Sequence, residues 1–184
     1  MPIDNVEFLL KYKKDHRYFC ETGTFVGRTV QYALDAEFEF IRSVELNLFN
    51  FEICRNLFRD YSNIKLYCGE SENLFWSMIK DINEPVLFFL DSHYSGVSDY
   101  YQTSKGRTYS SLVSELLTIA KHPIKNHTIF IDDIRDFKTI NMDYVTKEKI
   151  FELIININPD YEILFDTGDS SQEIFIDDIL IARV

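Results

Sequence analysis

The sequence predicts a three-layer αβα domain, in which a mostly parallel sheet of seven strands carries helices on both faces. Two observations lead to this fold class. Apolar runs of strand length alternate with helix-length segments along most of the chain. Residues 86–91 are almost wholly apolar, as is typical of a strand covered on both faces. With 184 residues, 46% of them hydrophobic, the chain suits one domain spanning residues 1–184.

The first two thirds of the chain read as strand–helix units. Strands are predicted at the apolar runs, which are residues 17–21, 38–45, 64–68 and 86–91. Helices are predicted in the longer segments between them, at residues 27–36, 48–61 and 71–82. After a polar loop, a helix is predicted at residues 109–121 and a strand at residues 127–132.

The end of the chain follows a different pattern. After a helix at residues 146–158, two strand-like runs at 161–165 and 174–183 are separated by a turn-like segment, 166–171. This spacing predicts a C-terminal antiparallel hairpin that completes the sheet. In such sheets, ligands bind beyond the carboxyl ends of the parallel strands, near the point where the strand order reverses.

The charge of the chain limits its partners. Its formal net charge is −11 and it contains no block of Lys or Arg, so we expect neither nucleic acid nor anionic membranes as partners. The N-terminus has no long apolar run, which predicts a cytoplasmic protein. We expect Cys20, Cys54 and Cys68 to be reduced thiols packed in the core.

The turn after the first strand carries Gly23 and Gly27. Gly23 can adopt a positive φ, and Gly27 allows a helix, strand or ligand to approach closely. The helix that begins there offers free amides to a carboxylate or phosphate, and Thr29 adds a hydroxyl group. The alternative is that the glycines only satisfy the sterics of a strand–helix turn.

Two further strand ends fit a nucleoside. Glu45 ends the second strand 22 positions after Gly23, near the offset of roughly 20 residues at which an acid binds ribose hydroxyls. Gly69, Glu70 and Ser71 follow the third strand, where an adenine would lie. Glu45 could instead be simply solvated, and Ser71 could be a helix N-cap.

Acidic residues follow the two central strands. Asp91 comes directly after one apolar strand, and Asp132 and Asp133 come after the next. Unpaired acids at one sheet edge repel each other, whereas a divalent cation with oxygen ligands would hold them together, and Mg²⁺ is the natural candidate. Helix caps and loop hydrogen bonds are the alternative.

Together these residues resemble the class I S-adenosylmethionine-dependent methyltransferases, in particular the metal-dependent O-methyltransferases of the catechol and macrolide-sugar types. The resemblance covers roughly residues 18–136 and implies a Rossmann-like methyltransferase fold. It implies S-adenosylmethionine binding by Glu21, Thr22, Gly23, Thr24, Gly27, Thr29, Glu45, Leu46, Gly69, Glu70, Ser71 and Asp91. It also implies a divalent metal, expected to be Mg²⁺, bound by Asp91, Asp132 and Asp133.

One departure from the family affects the acceptor. Catechol-type enzymes carry a lysine base three residues past the strand-four aspartate, where this chain has Tyr94. This disfavours a catechol, and the paired Asp132 and Asp133 resemble the sugar-methylating branch. The resemblance thus implies methylation of a sugar or glycan hydroxyl, with Asp91 or His93 as the catalytic proton acceptor. His93 could equally contact the cofactor or pack under the loop. We expect His16, His122 and His127 to be structural.

Acceptor contacts are expected from the polar stretch 95–108, as a lid over the cation, and from residues near the two acidic strand ends. The predicted contacts are Tyr94, Tyr100, Tyr101, Arg107 and Arg135, and Gln102 and Lys105 lie in the same stretch. A surface excursion is the alternative. Because the segment before the first strand is short, a homo-oligomer or a larger glycan-modifying assembly could complete the pocket.

Three other functions are alternatives to an O-methyltransferase of sugars or of another small hydroxylated metabolite. A nicotinamide-dependent oxidoreductase would not need three acids at one sheet edge, and the glycine spacing differs from the dinucleotide pattern. A metal-dependent hydrolase would leave the Gly23 turn and Glu45 without a joint purpose. A non-catalytic binding module would bind the cofactor without turnover.

Overall fold

The computed structural model of the protein describes residues 3, 5–96, 103–167 and 176–184. This part of the chain contains seven strands and six α-helices, together with short 3-10 helices at Ile134–Asp136 and Ile140–Met142. The strands are β1 Tyr18–Thr22, β2 Phe40–Glu45, β3 Ile64–Cys68, β4 Val86–Leu90, β5 Thr128–Ile131, β6 Glu162–Asp166 and β7 Ile179–Arg183. The helices are α1 Val6–Lys13, α2 Arg28–Asp35, α3 Leu48–Leu57, α4 Ser71–Ile79, α5 Leu112–Lys121 and α6 Lys147–Ile157.

All seven strands form one sheet in the order β3-β2-β1-β4-β5-β7-β6. Strands β1 to β5 are parallel to their neighbours, whereas β7 runs antiparallel to both β5 and β6. The strand order reverses between β1 and β4, which places the ligand-binding crevice of such sheets above this pair. The predicted fold class, including the C-terminal antiparallel pair, is confirmed.

Several elements are shorter than predicted, because the chain outside them forms other bonds. The helix predicted at residues 109–121 begins only at Leu112, since the amides of Tyr109 and Ser110 donate to the Asp143 carboxylate. Of the strand predicted at 174–183, residues 174 and 175 lie outside the described residues, residues 176 and 177 form a turn, and the strand spans Ile179–Arg183.

The core lies on both faces of the sheet. On one face, Phe88 of β4 packs with Leu116 of α5 and Ile150 of α6. On the other face, Phe89 packs in the cluster that includes Phe8 of α1. Neighbouring residues of β4 thus serve opposite faces, which explains why this strand has no polar residue.

The cysteine prediction is correct for two residues and wrong for one. Cys20 and Cys54 are buried free thiols, but Cys68 is exposed because it ends β3, the edge strand of the sheet. Among the described helices, none combines the length and apolar character needed to span a bilayer.

Candidate functional site

The predicted site residues that the structure describes follow strands β1 to β5 at one edge of the sheet. This convergence arises because parallel strands end at the same edge. Glu21 and Thr22 end β1, Glu45 ends β2, and Asp91 directly follows β4. The backbone amide of Asp91 donates to the Thr22 carbonyl at 3.1 Å, so the turns after β1 and β4 are in direct contact.

The turn from β1 to α2 has an unusual backbone. Gly23, Phe25 and Gly27 all have positive φ values, of 90°, 49° and 82°. A Cβ atom at Gly23 would overlap the carbonyl oxygen of Asp91, and one at Gly27 would lie 2.7 Å from the Phe58 ring. Both glycines are therefore required here by conformation and by space. The steric alternative therefore holds for both glycines.

Glu21 is linked to this turn by hydrogen bonds through Ser43. Its carboxylate is buried and accepts a hydrogen bond of 2.7 Å from the Ser43 hydroxyl, whose oxygen lies 2.6 Å from the Thr24 hydroxyl. Burial raises the pKa of Glu21 to about 8, although hydrogen bonds from Ser43 and Thr29 oppose this rise. Thr29 thus faces Glu21 inside the fold.

Glu45 accepts a hydrogen bond from a backbone amide of the same turn. One carboxylate oxygen accepts the Phe25 amide at 2.7 Å, and the other accepts the Asn47 amide at 2.7 Å. Burial raises the pKa of Glu45, and the two amide bonds partly offset this. The alternative of a solvated glutamate is wrong, because the side chain is buried.

The predicted adenine turn, residues 69–71, contacts residues 106 and 107 of the segment that leads to α5. Glu70 accepts the Arg107 amide at 3.0 Å, and Gly106 sits against Glu70 and Leu46. Ser71 is the first residue of α4, not its N-cap, so the capping interpretation is wrong. Gly69 has a φ of 141°, which suits glycine.

The acids after β4 and β5 form two groups that share Asp133. In the first, ligand atoms of Asp91, His93 and Asp133 all lie within 4.8 Å of one another. In the second, Asp132 and Asp133 lie equally close to Asp178, a buried residue that the sequence analysis did not single out. Asp91 and Asp132, two of the predicted metal ligands, fall in different groups.

His93 lies between two carboxylates. Its Nε2 is 3.0 Å from Asp133 Oδ2, and its Nδ1 is 3.3 Å from Asp91 Oδ1. The Nδ1 atom is buried and out of line for a hydrogen bond, so it lacks a hydrogen-bond partner among the described residues. The pKa of His93 is raised overall. Burial acts to lower it, but the carboxylates of Asp91 and Asp133 outweigh burial.

The surroundings of Asp132 and Asp133 raise the pKa values of both carboxyl groups. Burial raises the pKa of Asp132 well above its usual value, and the charges of Asp91 and Asp133 raise it further. Burial and Asp91 likewise raise the pKa of Asp133, while His93 and Arg135 oppose the rise. A cation bound here would relieve this crowding of negative charge.

The residues predicted to contact the acceptor have different surroundings in the structure. The Tyr94 ring packs edge-on against the Tyr109 ring, with 6.0 Å between the two ring centroids. Lys105 Nζ lies over the Tyr109 ring, 3.5 Å from its centroid. Arg107 is exposed. Residues 97–102 of the predicted stretch 95–108, which include Tyr100, Tyr101 and Gln102, lie outside the described residues.

Arg135 has a structural partner on each side. Its Nη2 lies 2.5 Å from Asp133 Oδ1, and its Nη1 contacts the Asp178 carboxylate. The structure therefore places this guanidinium on two acids of the site, a role different from the predicted acceptor contact.

Glu115 is the main site residue that the sequence analysis missed. This buried side chain of α5 accepts hydrogen bonds from the hydroxyl groups of Thr22, Ser71 and Ser92. The signal was present in the sequence, because Glu115 interrupts the apolar face of a predicted helix. Ser43, Ser92 and Asp178 carried no comparable local signal.

Comparison with known proteins identifies the fold. No protein-family model and no curated protein matches this sequence. An O-methyltransferase from Bacillus cereus in complex with SAH (S-adenosylhomocysteine) aligns with a TM-score of 0.68 at 15% identity, over 97% of this chain and 80% of that chain. The SAH-bound methyltransferase PaMTH1 from Podospora anserina aligns with a TM-score of 0.60 at 13% identity, over 97% of this chain and 76% of that chain.

A third solved structure, the 23S rRNA methyltransferase ErmE, aligns with a TM-score of 0.57 at 13% identity, over 97% of this chain and 66% of that chain. The chain has the fold of class I S-adenosylmethionine-dependent methyltransferases, which confirms the predicted resemblance at the level of the fold. One of these proteins is an O-methyltransferase and another a 23S rRNA methyltransferase, so the shared fold does not define the acceptor.

Proposed function

We propose that this protein is an S-adenosylmethionine-dependent O-methyltransferase that methylates a hydroxyl group of a sugar or glycan with the help of a divalent cation. The observation that carries the proposal is the contact between the Gly23 turn and Asp91. It brings a cofactor-type glycine turn next to the acidic group formed by Asp91, His93 and Asp133.

The cofactor half of the site is built from the turns after β1, β2 and β3. S-adenosylmethionine supplies an activated methyl group on a sulfonium. The turn after β1 leads into α2, whose first backbone amides would bind the carboxylate of the cofactor's amino-acid part. Glu45 binds the ribose hydroxyls with the lone pairs left over from its two amide bonds. The turn at Glu70 and Ser71 borders the adenine.

The cation half consists of Asp91, Asp133 and His93. Their donor atoms lie close enough to share one ion, and the unpartnered Nδ1 of His93 is a buried polar atom that needs a partner. A divalent cation would supply the charge that orients a hydroxyl group and increases its acidity. Carboxylate oxygens suit Mg²⁺, as predicted, whereas an imidazole ligand would favour Mn²⁺ or another transition ion.

Proton removal falls to the same two residues that the sequence predicts. The acceptor hydroxyl loses its proton to Asp91 or, when His93 does not ligate the cation, to the Nδ1 of His93, which lies 3.3 Å from Asp91 Oδ1. Methyl transfer breaks the carbon–sulfur bond and forms a carbon–oxygen bond, so no oxidant or reductant is needed. Alignment of the acceptor oxygen with the methyl group is the chief contribution of the protein.

A sugar acceptor is supported by what surrounds the acids. Tyr94 occupies the position of the catechol-type lysine base, and its ring packs with Tyr109 beside this edge. Aromatic rings and hydroxyl groups suit a neutral polyhydroxylated acceptor. The net charge of −11 disfavours a polyanionic one.

The test is transfer of a radiolabelled methyl group from S-adenosylmethionine to a panel of sugars, glycans and catechols. We expect product with a sugar hydroxyl, loss of product with EDTA, and recovery with Mg²⁺ or Mn²⁺. Asp91→Asn should reduce the rate by about a hundredfold or more. Metal-independent transfer would remove the cation from the proposal, and cofactor binding without transfer to any acceptor would indicate a non-catalytic module.

A further inference from the structure

Helix α5 carries a buried acid on its core-facing side. Leu112, Leu116 and Ile119 form the apolar face of this helix, and Glu115 lies on the same face. Only 1% of Glu115 is exposed to solvent. A carboxylate in this position is unusual, because ionised acids are seldom fully buried without a cationic partner.

Three hydroxyl groups converge on this carboxylate. Ser71 Oγ lies 2.6 Å and Ser92 Oγ 2.5 Å from Oε1, and Thr22 Oγ1 lies 3.2 Å from Oε2. All three hydroxyl groups donate to the carboxylate oxygens. Their orientation is therefore set by Glu115.

The three donors come from three different turns of the site. Thr22 ends β1 and precedes Gly23, Ser71 begins α4 at the predicted adenine turn, and Ser92 follows Asp91. Glu115 thus joins the cofactor turns to the turn that carries the acid of the cation group. No other described side chain is hydrogen-bonded to all three turns.

The burial of Glu115 has an energetic cost. Burial raises its pKa to about 7, although the three hydroxyl groups oppose this rise. Glu115 forms no ion pair with the described residues. An apolar residue would cover the sheet without this cost, so packing alone does not account for a glutamate here.

We propose that Glu115 is a positioning residue that holds the cofactor turns and the Asp91 turn in fixed positions relative to one another. This inference rests on the proposed function, because it gives this arrangement of the turns a purpose in methyl transfer. Glu115 itself is buried beneath the turns and touches neither the cofactor nor the acceptor in this role.

The test compares Glu115→Ala, Glu115→Gln and Leu116→Ala by calorimetric titration with S-adenosylhomocysteine. Leu116→Ala is the matched control, because it removes a buried side chain one residue along the same helix. We expect the Kd to rise about tenfold in Glu115→Ala, about threefold in Glu115→Gln, which keeps one acceptor oxygen, and less than twofold in the control.

Hydrogen exchange of the unliganded proteins provides a second readout. The amides of Gly23 and Asp91, which donate to Val44 and Thr22, should exchange faster in Glu115→Ala than in Leu116→Ala. Equal Kd and equal exchange in Glu115→Ala and wild type, or the same changes in Leu116→Ala, would overturn the inference. If the wild type fails to bind S-adenosylhomocysteine, the proposed function fails, and the exchange comparison alone decides whether Glu115 holds the turns.

Discussion

At the scale of single residues, Arg135 shows how a charged side chain organises the acidic edge. Its guanidinium lies between Asp133, which belongs to the candidate cation group, and Asp178, which is 1% exposed. The backbone amide of Arg135 also donates to Asp178 at 2.9 Å. Arg135 therefore compensates a buried charge and fixes the orientation of Asp133.

Replacing Arg135 should destabilise the fold. In Arg135→Met, Asp178 would remain buried without its cationic partner, and we expect the free energy of unfolding to fall by about 3 kcal/mol. Urea denaturation measures this change. Arg107→Met is the control, because Arg107 is an exposed arginine of the same edge. Equal stability of the two variants would contradict the role given to Arg135.

The sequence predicted those site residues that have a local signature. Gly23, Gly27 and Glu45 follow from the spacing of a glycine turn and a strand-end acid. Glu115 and Ser43 were missed, because their partners lie far away in sequence and hydrogen bonds between distant residues leave no periodic pattern. The metal set was predicted from strand ends alone, which cannot show how His93 divides the acids.

At the scale of elements, the alternation of apolar runs and helix-length segments was sufficient to predict the strand and helix order. Strand β3 was predicted with its observed bounds, Ile64–Cys68. Errors occur where tertiary bonds override local preference. The start of α5 is delayed because Asp143 binds the amides before it, and that bond cannot be predicted from helix propensity.

The junction of α2 and α3 offers a test at this scale. Gly27 precedes α2, and a Cβ atom there would press on the Phe58 ring at the end of α3. We expect Gly27→Ala to lower the free energy of unfolding by about 1–3 kcal/mol through overpacking and the positive φ. Thermal or urea unfolding measures the loss.

A double variant separates these two causes. Phe58→Leu in the Gly27→Ala background should recover part of the stability, because the smaller side chain removes the clash but not the backbone strain. If the effects of Gly27→Ala and Phe58→Leu are simply additive, the two helices are not coupled through this contact.

At the scale of the whole molecule, the sheet separates two apolar clusters and leaves its polar residues at the carboxyl edge. A pair of buried histidines is an exception at the opposite edge. His127 Nδ1 accepts the Val86 amide at 3.1 Å, while its Nε2 has no hydrogen-bond partner in the described part of the chain. Burial, helped by nearby His122, lowers the pKa of His127 to about 3.

This pKa predicts how stability depends on pH. Between pH 6.5 and about 3, the unfolded chain binds a proton at His127 that the folded chain does not, so stability falls as the pH falls through this range. Between pH 7 and 5.5, we expect the wild type to lose about 1 kcal/mol more than His127→Asn. Identical pH dependence of the two proteins in urea denaturation would show that folding does not lower the pKa of His127.

The central claim is that the Gly23 turn binds S-adenosylmethionine, and calorimetric titration with S-adenosylhomocysteine tests it most directly. Gly23→Ala should abolish binding, because its Cβ atom would collide with Asp91. Gly96→Ala is the matched control, since Gly96 has a similar φ of 92° but no atom within 4 Å of an added Cβ. We predict micromolar binding by the wild type and the control and none by Gly23→Ala; the absence of wild-type binding, or equal binding by all three proteins, would contradict this account.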